Sequence, residues 1–214
     1  MIQIRALSKN YGSTLALVDA CLEVNDGEMV VIQGSSGSGK TTLLRLIAGF
    51  ELPDQGEIYL DGEQVSCPGW GWPPYRREIG MVFQRSALWP HMTVAQNLLF
   101  AMDGIARQSR QTRLTSLLAD TGLSTLAERY PDQLSGGEAR RTALARALAS
   151  NPKRLLLDEP LTNLDPRLKQ QLLELIVNQT HSQGITLLYV THDRQEALSI
   201  GGRLVLLEGG QVLP

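Results

Sequence analysis

Residues Gly34 to Thr41 read Gly-Ser-Ser-Gly-Ser-Gly-Lys-Thr, matching G-x-x-x-x-G-K-[ST] at every position. The match restricts the fold around it, because such a loop works only when a strand delivers the chain and a helix carries it away. Both flanks fit. Glu28 to Gln33 is an apolar, strand-sized run, and the segment opening at Gly39-Lys40 places Leu43, Leu44 and Ile47 on one helical face before Gly49 ends it. Glycines let the backbone wind tightly, so successive N–H groups and a helix N-terminus converge on an anion. In that arrangement Lys40 reaches the β- and γ-phosphates of a nucleotide and the Thr41 hydroxyl binds Mg²⁺, with Gly34, Ser35, Ser36, Gly37, Ser38, Gly39 and Thr42 around the phosphates. The alternative is an ordinary Gly/Ser-rich turn before a helix.

The rest of the chain is consistent with one α/β domain spanning 1–214, since domains commonly run from roughly 50 to 250 residues. Hydrophobic residues make up 43% and charged residues 20%, a globular balance. Lys plus Arg number 20 against 22 Asp plus Glu, so no positive excess exists to drive phosphate-backbone binding, and no nucleic-acid partner is expected. Cys21 and Cys67 have no zinc-like spacing, Met1 to Arg5 lacks the order of a signal peptide, and no apolar run approaches the roughly 20 residues that cross a bilayer. These features predict a cytosolic, reduced chain whose membrane connection, if it has one, runs through a partner.

Strands are expected at Ile2 to Leu7, Val18 to Val24, Glu28 to Gln33 and Glu57 to Leu60, with Asp61-Gly62 turning the last into a hairpin. Between Arg85 and Asn151 the pattern becomes helical, with capping-box spacings at Thr93/Gln96 and Ser135/Glu138. After Asn151-Pro152 come a buried strand at Leu155 to Leu157, a helix from about Pro166 to Thr180, a buried strand at Ile185 to Val190, and a hairpin folded at Gly209-Gly210. This order predicts a P-loop NTPase core with a mainly parallel sheet, an antiparallel β subdomain and an inserted α-helical lobe. Residues 1–84 and 152–214 form the core with its β subdomain, and 85–151 form the lobe.

Leu155 to Pro160 is a hydrophobic strand ending in Asp158-Glu159, which resembles the Walker B element of ATPases. Asp158 would support the Mg²⁺ shell and Glu159 would orient and polarise the attacking water, because phosphoryl transfer depends on positioning and charge stabilisation. Taken alone, an Asp-Glu pair at a strand end is a solvated turn.

Leu134-Ser135-Gly136-Gly137-Glu138, placed between the phosphate loop and Asp158, resembles the signature motif of ABC ATPases, and the resemblance covers essentially the whole chain. It implies a head-to-tail pair of cassettes in which Ser135, Gly136 and Gly137 face the γ-phosphate held by the opposite subunit. The local reading is a capped helix, since Ser135 and Glu138 satisfy a capping box by themselves. The same resemblance implies that Tyr11 stacks on adenine, Gln84 touches the metal and senses the partner, Asp165 lies at the dimer contact, and His192 contacts the γ-phosphate. Asp165 before Pro166 also reads as a helix N-cap. Glu138 departs from the Gln common in the family, and it is expected to turn back onto its own helix rather than face the triphosphate.

The implied output is transport. The apolar, proline-kinked stretch Ala87 to Met92 is expected either to receive a partner helix or to pack Trp89 under the lobe, while Trp70 and Trp72 read as loop packing. Pro73 to Gln84 is similar to bacterial importer cassettes, which implies permease subunits, a solute-binding protein and a place on the cytoplasmic side of the inner membrane. An exporter cassette and a non-transport ABC ATPase stay open. The chain ends at Pro214 soon after the final hairpin, so no C-terminal regulatory domain is expected.

Overall fold

The computed structural model describes residues 1–213. Two sheets divide the strands. The first is antiparallel and holds β1 (Ile2–Tyr11), β2 (Thr14–Val24), β4 (Gln55–Leu60), β5 (Glu63–Cys67) and β6 (Trp70–Gly71) in the order β2-β1-β4-β5-β6. The second holds β3 (Met29–Gln33), β7 (Ile79–Val82), β8 (Arg154–Asp158), β9 (Thr186–Val190), β10 (Arg203–Glu208) and β11 (Gln211–Leu213) in the order β11-β10-β3-β9-β8-β7. All its pairings are parallel except β10 with β11. The expected mainly parallel core and antiparallel companion sheet are therefore both present.

Strands β8 and β9 are buried along their whole length, and their side chains alternate between two cores. Leu155, Leu157, Leu187 and Tyr189 face a cluster shared with α2 (Val94–Ala101), α3 (Arg107–Asp120), α4 (Gly136–Ala149) and α5 (Pro166–Gln183). Leu156, Leu188 and Val190 face the other cluster, built from the antiparallel sheet and from Leu43, Leu44 and Ile47 of α1 (Lys40–Ala48). The helix after the phosphate loop is thus held between the two sheets. That burial fixes where the loop at its N-terminus points.

Several boundaries differ from the sequence expectations. β1 and β2 run on to a tight turn at Tyr11 and Thr14, through irregular register between Ile4 and Asn10 that hides the period-2 pattern. α5 extends to Gln183, where Gly184 closes it in the left-handed conformation at φ +63°. A short helix, α6 (Arg194–Ile200), was not expected, because its apolar face is only Ala197 and Ile200, interrupted by the buried Glu196 and the exposed Leu198.

Candidate nucleotide-binding site

The C-terminal ends of β3, β8 and β9 deliver the site. After β3 the chain turns through Gly34 to Gly39, where two glycines are required for different reasons. A Cβ on Gly34 would collide with the Leu207 carbonyl, and Gly39 adopts φ +103° against the Ala16 carbonyl. Lys40, 8% exposed, folds back over the loop and donates from Nζ to the carbonyls of Gly34 at 2.9 Å and Ser35 at 2.7 Å. Burial lowers its pKa from the ordinary lysine value, against the opposing pull of Glu159 and Asp158.

The Thr41 hydroxyl donates to Asp158 Oδ2 at 2.7 Å. Burial raises the Asp158 pKa above the usual carboxylate range and Glu159 adds to this, while the Thr41 bond and Lys40 oppose it. Glu159 sits at φ +48°, a costly conformation for a glutamate, fixed by its N–H donating to the Val190 carbonyl at 3.0 Å. Its Oε1 lies 3.1 Å from His192 Nδ1. A cavity of about 230 Å³ joins these groups: Lys40, Thr41, Thr42, Asp158 and Glu159 line it together with Ser36, Gly37, Gly39, Gln84 and Tyr11. The Tyr11 ring is half-exposed at its rim and its hydroxyl donates to Glu51.

Ser135 caps α4 in a reciprocal box. Its Oγ accepts from the Glu138 N–H at 3.3 Å, and Glu138 Oε2 accepts from the Ser135 N–H at 2.7 Å. Glu138 is therefore turned back onto its own helix, as expected.

Residues 17–162 match the ABC transporter family. The chain belongs to that family, as an ATP-binding cassette. Its relatives include the spermidine/putrescine import ATP-binding protein PotA of Pseudomonas aeruginosa (strain UCBPP-PA14), 42% identical over 99% of this chain. The PotA of Bacillus cereus (strain ATCC 14579) is 41% identical over 99% of this chain. This cassette spans 58% and 64% of the lengths of those two proteins. Among solved structures it resembles the dimeric cassette MJ0796 with a TM-score of 0.90 and 32% identity, covering 100% of this chain and 97% of that one. A post-hydrolysis dimer of MJ0796 bound to ADP and Pi matches with a TM-score of 0.89 and 31% identity, over 100% and 97% of the two chains.

The cassette brings most of the sequence-predicted residues to one cavity. Gly34, Ser35 and Ser38 lie within the same loop but behind its lining, where Lys40 engages them. His192 joins through Glu159. Ser135, Gly136, Gly137 and Asp165 do not line the cavity; Ser135, Gly136 and Asp165 are exposed. Asp165 caps α5, its Oδ1 accepting from the N–H groups of Arg167 at 3.0 Å and Leu168 at 3.3 Å. The signature helix meets the loop before Asp165 directly, because Arg140 donates to the Thr162 carbonyl and Gly137 leaves only close-contact room beside Leu164.

Sequence reasoning missed three contributors. Thr14 and Ala16 of β2 line the cavity, and Glu51 anchors Tyr11. No local signal marks Thr14 or Ala16, since both are ordinary strand residues. The Tyr11–Glu51 pair joins elements 40 positions apart. Trp89 is 45% exposed and packs edge-on against His91 at 6.0 Å and Phe100 at 5.8 Å, so it presents an aromatic surface rather than being buried under the lobe.

Proposed function

We propose that the cassette binds and hydrolyses ATP as one half of a head-to-tail pair and thereby drives a separate membrane permease. The carrying observation is one cavity lined by Lys40, Thr41, Asp158 and Glu159, with Thr41 bonded to Asp158 and His192 beside Glu159. Lys40 contributes charge beside the phosphates, and the loop N–H groups and the α1 N-terminus orient them. Tyr11, at the cavity rim, carries the adenine ring. Glu159 polarises the attacking water and His192 contacts the γ-phosphate.

Thr41, Asp158 and Gln84 suit Mg²⁺. The Thr41 hydroxyl and the Asp158 carboxylate already meet at 2.7 Å, and both offer the oxygen donors a hard cation takes. When bound, Mg²⁺ supplies charge neutralisation for the phosphate oxygens. Thr41, Asp158 and Gln84 would hold the ion, and Lys40, which now donates to the Gly34 and Ser35 carbonyls, would supply its charge to the phosphates.

A single chain holds two incomplete half-sites in this reading. The exposed N-terminal end of the signature helix, with Ser135, Gly136 and Gly137, faces the phosphates of a second copy, and Asp165 lies where the copies meet. Residues 1–84 and 152–214 act as the nucleotide-holding core, and 85–151 act as the lobe carrying the signature. The exposed Trp89, His91 and Phe100 form the surface for a permease helix. The relatives' names support import, with polyamines the first solutes to test. The assembly then comprises two cassettes, permease subunits and a solute-binding protein, with the cassettes on the cytoplasmic face of the inner membrane.

The test is Glu159→Gln. We expect at least a 100-fold loss of ATPase rate, about 2.7 kcal/mol of barrier, together with an ATP-dependent shift from monomer to dimer in sedimentation. A variant that stays monomeric at saturating ATP, even with its permease, would overturn the paired mechanism.

A further inference from the structure

His192 is two-thirds exposed, and among the described residues its ring has one hydrogen-bonding partner, Glu159. Its place is therefore set by the backbone of the residues on either side, and both are held by one hydrogen-bonded network centred on a buried carboxylate. Glu196 of α6, 3% exposed, accepts through Oε2 from the Thr191 hydroxyl at 2.7 Å and the Tyr189 hydroxyl at 2.9 Å. The Thr191 oxygen in turn accepts from the Asp193 N–H at 3.0 Å. Asp193 Oδ1 caps α6 by accepting from the Gln195 N–H at 2.8 Å. Tyr189, Thr191 and Gln195 thus bond to two carboxylates, and one cation joins those carboxylates. Lys169 Nζ sits 2.8 Å from Glu196 Oε1 and 3.0 Å from Asp193 Oδ2.

We propose that Lys169 is a positioning residue for His192, holding the Thr191–Asp193 turn at the end of β9 by bridging Glu196 and Asp193 from α5. Without the ammonium, Glu196 is a buried carboxylate served only by neutral hydroxyls. Such a group is costly, and it is relieved when the surrounding turn moves toward water. Asp193 loses its partner at the same moment. Partial burial acts against the charge on Lys169, yet its bonds to Glu196 and Asp193 hold its pKa above the ordinary lysine value. The Lys169 bridge also pulls the Asp193 carboxyl below its usual range. Lys169 lies one helical turn after Asp165, its N–H donating to the Asp165 carbonyl at 2.8 Å, so the same residue ties His192 to the helix that begins at the proposed dimer contact. The inference rests on the proposed contact of His192 with the γ-phosphate for its catalytic consequence, but not for its structural one.

The experiment compares the full chain with its Lys169→Met and Lys169→Arg variants. The primary readout is the ring resonance of His192 in two-dimensional NMR, assigned with His192→Gln; only three histidines contribute. Lys169→Met is expected to move or split that resonance while leaving those of His91 and His181 in place, and Lys169→Arg to restore it. In ATPase assays Lys169→Met should lower kcat roughly tenfold or more, with KM for ATP changed less than about twofold, and should cause no further loss in a His192→Gln background. If Lys169→Met proves too unstable, Lys169→Gln, which removes the charge but keeps a polar tip, takes its place in the same measurement. An unchanged His192 resonance, or an equal kcat loss in the His192→Gln background, overturns the proposal. A His192→Gln variant with undiminished kcat would instead overturn the role given to His192, while the resonance still decides whether Lys169 holds it.

Discussion

Glu138 shows how a charge beside an expected triphosphate is made harmless. Its carboxylate accepts from the Ser135 N–H, and that bond is the leading reason its pKa lies below the ordinary glutamate value. The group stays ionised near neutral pH, but the positive end of α4 absorbs its charge. Gln in its place keeps the same capping geometry. Glu138→Gln is therefore expected to change the ATPase rate by less than about tenfold, or about 1.4 kcal/mol, in steady-state assays; a loss beyond 100-fold would mean the charge itself is used. The Ser-x-x-Glu spacing announces this in the sequence because both partners lie within one helical turn. The same locality makes Lys40, Thr41, Asp158 and Glu159 legible, each identified by its immediate neighbours. Lys169 carries no such mark, since its partners lie 24 and 27 positions away on another helix.

At the scale of elements, α1 depends on an arginine whose role the sequence hides. Arg76 and Arg77 read as a basic pair after Pro73-Pro74, yet Arg76 is exposed and Arg77 is 1% exposed. The Arg77 guanidinium donates to the carbonyls of Leu46 and Ile47 at 2.9 Å each, to Val65 at 3.0 Å and to Trp72 at 3.0 Å. It thus caps the C-terminus of α1, where a cation is favoured, and ties it to β5 and to the turn before β7. Burial lowers its pKa to about 10, so it remains charged near neutrality. Arg77→Met takes the donor from the Ile47 and Trp72 carbonyls and leaves those of Leu46 and Val65 with only the backbone N–H groups of Gly49 and Trp72, and we expect a loss of about 3 kcal/mol in urea unfolding. A loss under about 1 kcal/mol would mean that water takes over the carbonyls. The strand-loop-helix unit itself was readable because apolar spacing and glycine punctuation are local. The short α6 was not, because its apolar face is limited to Ala197 and Ile200 and its polar partners belong to α5 and β9.

Across the whole molecule, Asp61 joins the two sheets. It lies in the turn between β4 and β5 and pairs with Arg154, which opens β8 and is 3% exposed, as well as with the chain's amino terminus. The Arg154 bond leads the causes that pull its pKa from 3.8 to about 2. The folded value lies below the unfolded one, so the contribution is present above about pH 4 and is lost as pH falls through about 2. Asp61 is nearly half exposed, so solvent screening reduces the tie to about 1 kcal/mol near pH 7. Asp61→Asn should lower the thermal midpoint at pH 7, and the gap to the wild type should narrow as pH falls from 4 to 2; a gap of unchanged size at pH 2 would show that charge is not what the residue supplies. This tie illustrates where sequence information stops. The phosphate loop, the Asp158-Glu159 strand end, the signature helix and the alternation of strand with helix are determined by short-range spacing, because backbone conformation and capping act within a few residues. Which side chains of β8 and β9 face which core, which arginine is buried, how Thr14 and Ala16 reach the cavity and Glu51 reaches Tyr11, and what surrounds His192 were decided only in the tertiary structure. Those contacts join residues far apart in the chain, and their strength comes from a shared burial that no local window contains.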